Sequence, residues 1–302
     1  MNGEISDLEK WIEVGKVAKK IKKYAKEILK KDMLILDYIE KIEEKIHNMG
    51  YNLAFPINIS INEIAAHDTA DFDDSRCFKE GDVVKVDIGL EKEGYISDTA
   101  FTVEIGSNTH KKIIKACREA LEFAKSIIYP GIKVYEIGKL IESIAQKYGF
   151  KVVKNLGGHS IERYNLHSGI FIPNFDNKDK RVLKNVVIAV EPFFTYGVGI
   201  VEETDEIKIF SLAKKPRNVL ARRYYNILYK ERNKLPFSLR YLTKKFGREN
   251  VNKIISMLMK ENSLYCYPVL REKSNNIVVQ FEDTIIITED EVIVTTDSTE
   301  TD

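Results

Sequence analysis

The chain has 302 residues, 44% of them hydrophobic and 31% charged, with a formal net charge of +1. That balance excludes a disordered chain, and no apolar run nears the roughly 20 residues a membrane-spanning helix needs. Three scattered cysteines, Cys77, Cys117 and Cys266, form no disulfide framework and no C-x-x-C site. The polar MNGEISDLEKW start lacks a secretory pattern, so a cytoplasmic protein without membrane association is expected.

Residues 5–30 place Trp11, Val14, Ala18, Ile21, Ala25 and Ile28 at helical spacing with lysines opposite, which predicts an amphipathic helix. A second helix is expected over about 33–49, stopped by Gly50. Residues 83–90 (VVKVDIGL) and 95–104 (YISDTAFTVE) read as two strands joined by a short turn ending at Gly94. Helices follow over about 109–128 and 133–148, separated by Pro130-Gly131. Next come a strand near 151–154, the segment GGHSIERYNLHSG and the apolar strand NVVIAVEPF. The order helix, helix, strands thus occurs twice, in residues 5–104 and 109–195, without evident sequence identity between the copies.

Residues 196–210 read as loop and hairpin, and helical patterns resume at about 217–232, 237–246 and 249–261. This last region is strongly basic: residues 211–260 hold 14 Lys/Arg against only Glu231 and Glu249, so the remainder of the chain is acidic. A strand pair over 265–271 and 276–282, turning at Ser274-Asn275-Asn276, precedes the closing IIIT and VIVTT strands.

Carboxylates in apolar strands are the chemical signal. Asp87 interrupts VVKVDIGL, where an unpaired carboxylate costs several kcal/mol or becomes protonated. With the hairpin turning at Lys92-Glu93, Asp87 faces Asp98, about 5 Å away at Cβ, where like charges repel. A cation must lie between them, no Lys or Arg is placed to provide it, and a divalent metal satisfies the geometry. Glu191 follows an apolar strand, and Glu282 lies in NNIVVQFEDTIIIT at the same cost. A single shared cation site accounts for all of them most economically. His159 follows two glycines, which permit close backbone approach or positive φ where a loop presents a ligand. His167 and His67 are further candidates, whereas His47 and His110 read as surface residues of Lys/Glu-rich helices.

Five blocks, AFPINISINEIAAH, KVDIG with ISDTA, GGHSIERYNLHSG, AVEPF and VVQFEDTIIIT, resemble in order and spacing those of the methionine aminopeptidases, over nearly the whole chain. The resemblance implies the α+β pita-bread fold, with pseudo-two-fold helix-plus-strand halves around a central antiparallel sheet. The gap of 91 positions from Glu191 to Glu282, filled by the basic helical segment, resembles the insertion of the type II class, which includes the archaeal enzymes. The implied domains are a catalytic unit of residues 1–196 and 265–302 and an inserted basic helical subdomain of 197–264. Neither the zinc-finger nor the charged N-terminal extension found in some relatives is expected.

The same resemblance implies two divalent metal ions, with Asp87 on one, His159 and Glu191 on the other, and Asp98 and Glu282 bridging both. Co, Mn, Fe and Zn all suit such a donor set. A bridging water would attack the first peptide bond. His67 and His167 would hydrogen-bond the substrate amide and the developing oxyanion, and Glu191 would also shuttle a proton. Phe55, Leu166, Phe193 and Tyr267 would line the methionine side-chain pocket, where a thioether meets aromatic rings. The implied activity is removal of the initiator methionine from nascent polypeptides with a small second residue, by a monomer. The alternatives are an Xaa-Pro aminopeptidase or prolidase of the same fold, and a ribosome- or RNA-binding homologue without catalysis. The basic segment 211–260 is a candidate contact with ribosomal RNA. Asp68 and Asp283 stand where relatives carry tyrosine and histidine, and their charge is expected to shift metal affinity or the pH optimum.

Overall fold

A computed structural model describes residues 5–297. Helices α1 (Leu8–Ile28) and α2 (Ile35–Asn48) lead into short strands β1 (Asn52–Leu53), β2 (Asn58–Ile61) and β3 (Ile64–Ala66). The long hairpin β4 (Val83–Lys92) and β5 (Tyr95–Glu104) completes this half. Its counterpart consists of α3 (Lys111–Ile127), α4 (Val134–Tyr148), β6 (Lys151–Val152), β7 (Gly157–Ile161), β8 (Phe171–Pro173), β9 (Val186–Val190) and β10 (Phe193–Thr195). The repeated order of helices then strands is therefore present, with element ends within a few residues of those expected.

Beyond it run β11 (Val201–Leu212), α5 (Val219–Arg232), β12 (Phe237–Ser238), α6 (Leu239–Phe246), α7 (Arg248–Lys260) and β13 (Leu264–Glu272). The chain closes with β14 (Val278–Gln280), β15 (Asp283–Ile287) and β16 (Val292–Val294).

Every strand pairing among the described residues is antiparallel. Strand β4 pairs with β5 on one edge and with β1 and β2 on the other. The second half forms the order β16-β15-β9-β7-β8, and β14-β10-β6 makes a smaller sheet. Reciprocal main-chain hydrogen bonds between Ala100 and Glu282 join the two larger sheets at the centre. Helix α1 and strand β14 both pack on the β4–β5 hairpin. Burial along that hairpin is accordingly near-continuous rather than alternating. One apolar cluster, from Trp11 through Ile88 and Ile188 to Ile287, runs through both halves.

Three local expectations are corrected. The β4–β5 turn is Glu93-Gly94, both with positive φ (54° and 86°), as a two-residue hairpin loop with right-handed strand twist requires. Register therefore moves by two, so Asp98 faces Gly89 and Asp87 faces Ala100, which leaves the aspartates as diagonal neighbours on one face. Residues 201–212 form a strand rather than loop and hairpin: the exposed VEETDEIK half shows no apolar alternation and gains its partner from β13. Strands β13 and β14 are not a hairpin pair. The first joins β11 and β3, while the second joins β10.

The β11–β13 ladder carries α5, α6 and α7, which enclose a separate apolar cluster including Phe210, Leu228, Phe237, Leu242, Ile254 and Leu258. Asn218 caps α5 by accepting from the Leu220 and Ala221 amides, and Ser238 caps α6 by accepting from Tyr241. The basic segment leans on the acidic body. Buried Arg240 grips Glu43 with both terminal nitrogens, Lys244 Nζ meets Glu40 at 2.6 Å, and Arg248 meets Asp73 at 2.6 Å. Part of the charge asymmetry thus serves contact within the chain.

Candidate metal centre and substrate cavity

Each of the four carboxylates comes from a different strand or strand end. Asp87 lies on β4, Asp98 on β5, Glu191 directly after β9 and Glu282 directly before β15. His159 sits on strand β7 rather than in a loop. Its two preceding glycines serve close approach and not positive φ: a Cβ at Gly158 would lie 2.1 Å from Ala189 O, and one at Gly157 would lie 2.5 Å from Ile172 O. His159 Nε2 stands 3.5 Å from Asp98 and 3.8 Å from Glu191. Ligand atoms of Asp98, His159 and Glu282 all fall within 4.8 Å of one another.

The electrostatics of this cluster are unbalanced. Asp87 Oδ1, Asp98 Oδ1 and both oxygens of Glu282 are buried without a hydrogen-bond partner. No Lys or Arg pairs with any of the four carboxylates among the described residues, and Gln280 Nε2 donates to Glu191 at 3.2 Å. Burial, and then the neighbouring acids, raises the pKa of Asp87, Glu191 and Glu282 well above the usual range. Burial lifts Asp98 to about 7. The same burial lowers His159 to about 4, which keeps its imidazole neutral and competent as a ligand. Unsatisfied oxygens converging with a neutral imidazole are an environment that a divalent cation completes, and the residues present fit one.

A cavity of about 540 Å³ opens from the cluster. All the residues singled out in the sequence line it: the five candidate ligands, His67 and His167, and the candidate pocket residues Phe55, Leu166, Phe193 and Tyr267. His67 has φ 65°, and its Nδ1 lies 3.1 Å from Pro268 O. A carbonyl only accepts, so Nδ1 carries the proton and Nε2 is left as an acceptor. Burial lowers the His67 pKa. The His167 ring crosses that of His159 at a centroid distance of 4.3 Å. Surrounding protein, then the nearby His159 and His67, hold His167 well below the ordinary value, although its outer edge remains open to solvent through the cavity mouth.

Sequence reasoning missed several lining residues. Asn58 pairs across the ladder with Asp87, donates Nδ2 to Pro56 O at 2.7 Å, and leaves its buried Oδ1 without a partner. Gln280 was legible as the same-face neighbour of Glu282 two positions on. Ile209, Pro236 and Tyr265 come from β11, the segment after α5 and β13 respectively, and no local signal marks them.

The negative charges at positions 68 and 283 are paired within the chain. Asp68 is clasped by Arg76 at 2.6 Å and Lys208 at 2.7 Å. Asp283 bonds Lys22 at 2.8 Å, Lys125 at 2.9 Å and Thr296 at 2.8 Å. Burial opposes Asp283 ionisation, but the two ammonium groups outweigh it and hold the pKa below the usual value.

Residues 9–289 match metallopeptidase family M24. A methionine aminopeptidase of Pyrococcus abyssi is 42% identical over 295 residues, covering 96% of this chain and 100% of its own. That of Methanocaldococcus jannaschii is 40% identical, covering 97% and 99%. The chain belongs to the M24 methionine aminopeptidases. Membership makes it a metal-dependent peptidase, and its α+β pita-bread fold is that of the family. Among solved structures, a thermophilic Arx1 superposes with TM-score 0.85 at 15% identity, covering 99% of this chain and 93% of that one. A methionine aminopeptidase from Thermotoga maritima gives 0.71 at 21%, covering 99% of each. A Pyrococcus horikoshii prolidase gives 0.65 at 18%, and only 65% of its length is covered. Identities this low establish the shared M24 fold alone.

Proposed function

We propose that this chain hydrolyses the first peptide bond of polypeptides that begin with methionine, releasing the methionine. The observation that carries the reading is the four-carboxylate, one-imidazole cluster with unsatisfied oxygens at the closed end of an apolar cavity. The proposed ligand set is Asp87, Asp98, His159, Glu191 and Glu282, which together would hold two divalent ions. Bound there, such ions supply Lewis acidity and lower the pKa of the attacking water.

The chain's own residues do the rest. Glu191, which burial and the neighbouring acids make more basic than a free carboxylate, accepts the water proton and passes it to the leaving amine. His67, fixed by Pro268 O, accepts the N–H of the scissile amide at Nε2. Neutral His167 donates a ring N–H to the carbonyl oxygen as negative charge develops there. Phe55, Leu166, Phe193 and Tyr267 enclose the methionine side chain away from water. The acidic end favours a free amino terminus, while the mouth beside exposed Tyr265 lets the remaining chain leave, which accounts for cleavage at the first bond only.

Metal analysis with turnover of Met-Gly-Met and an Xaa-Pro peptide tests this reading on wild type and Asp98→Ala. Expected are methionine release by wild type and loss of both metal and activity in the variant. A metal-replete, active Asp98→Ala protein, or robust Xaa-Pro cleavage without methionine release, overturns it.

A contact of the insert with ribosomal RNA draws on basic side chains not used within the chain. Arg223, Lys230 and Lys253 are exposed and make no ion pair among the described residues. Charge reversal at these three is expected to abolish salt-sensitive co-sedimentation with ribosomes, and unchanged binding counts against the contact.

A further inference from the structure

The walls of the proposed methionine pocket belong to two different parts of the chain. Phe55 follows β1 of the body and is 5% exposed, whereas Ile209, Pro236 and Tyr267 come with the insert and its supporting ladder. The width of the pocket is therefore the separation of two independently rooted pieces of backbone. One side chain spans them next to the cavity. Arg232, the last residue of α5, donates from Nη1 to Leu53 O at 2.8 Å. From Nη2 it donates to Ala54 O at 3.2 Å and Pro236 O at 2.6 Å. Two of these carbonyls immediately precede Phe55, and the third belongs to Pro236 itself.

All three acceptors are neutral main-chain carbonyls. An arginine recruited only for charge pairing selects a carboxylate, as Arg240 does with Glu43. A planar guanidinium with several donors in fixed directions instead sets distances between the groups it bridges.

We propose that Arg232 is a specificity-determining positioning residue, its guanidinium fixing the insert wall at Pro236 against the Phe55 wall and so setting the width of the side-chain pocket. The inference rests on the assignment of methionine to that pocket. A wider or less rigid pocket loses discrimination between unbranched methionine and branched leucine, while the metal cluster, built on β4, β5, β7 and the ends of β9 and β15, is untouched.

The test measures kcat and KM for Met-Gly-Met and Leu-Gly-Met, together with bound metal and thermal melting, on wild type, Arg232→Met and Arg232→Lys. In Arg232→Met, preference for methionine is expected to fall about tenfold, mostly through KM, with metal content kept. Arg232→Lys, which can still bridge one carbonyl from each side, is expected to lie between the two. Unchanged selectivity in a folded Arg232→Met protein overturns the proposal, as does an equal loss for both peptides. If Arg232→Met does not fold, Arg232→Lys decides: an intermediate preference supports the clamp and wild-type preference overturns it. Tyr267→Ala, which removes a wall outright, separates the two readings. No change in selectivity there refutes the pocket assignment, whereas a change there and none at Arg232 refutes only the clamp.

Discussion

His159 Nε2 stands 3.5 Å from Asp98 Oδ2, bringing β7 of the second half against β5 of the first. No Lys or Arg neutralises the cluster around them among the described residues, so a cation bound there would hold the halves together. Metal removal should lower the melting temperature, and metal at a hundredfold its Kd should restore about 2.7 kcal/mol. Calorimetry on chelated and reloaded protein checks this. An identical melting temperature after verified metal loss would contradict it.

Metal affinity should depend steeply on pH. The raised carboxylate pKa values mean that protons compete with the metal up to those values, with Asp98 titrating at about 7. The contribution of Asp98 is therefore complete above that pH and is lost as pH falls through it. His159, lowered to about 4, stays neutral across this window and adds no competing proton. Titration calorimetry in buffers of different ionisation enthalpy should register protons released on binding near pH 6 and fewer at pH 8.

Gly89 faces Asp98 across the hairpin and leaves the space that Phe55 fills. A Cβ there would fall 2.1 Å from Phe55 Cε1, so Gly89→Ala must push the ring into the cavity. KM for a methionine peptide should rise about tenfold with kcat little changed. Steady-state kinetics with metal content as a control would show it, and wild-type KM would be the contrary result.

Glu43→Ala leaves the Arg240 guanidinium, whose side chain is 3% exposed, with only the more distant Glu40 carboxylate at 3.8 Å among the described residues. Loss of one partner of such a buried pair costs about 3–5 kcal/mol, whereas replacing both with apolar residues costs far less. Denaturant unfolding of Glu43→Ala and of Glu43→Leu with Arg240→Leu compares the two. Equal stability of all three proteins would show the pair to be idle.

The four carboxylates of the candidate metal cluster were legible because the cost of a carboxylate in an apolar strand is written in a few neighbouring letters. Asp87, Asp98, Glu191 and Glu282 each carry that local contradiction. His159 carries none and was reached through family resemblance. The helices were legible for the same reason, since their apolar spacing is local. Strand β11 was not, because its polar half is a strand only through β13. Pairing register was also out of reach: it depends on which turn residues take positive φ, and Glu93-Gly94 in place of Lys92-Glu93 moves every cross-strand partner by two. Charge compensation was further still. Lys208 reaches Asp68 across 140 positions and Lys22 reaches Asp283 across 261, and no local pattern encodes such contacts. From the sequence alone came the chemistry the site demands, because desolvation penalties follow residue type and strand context. Only the tertiary structure decided which groups meet that demand and which are satisfied elsewhere, because packing sets those distances.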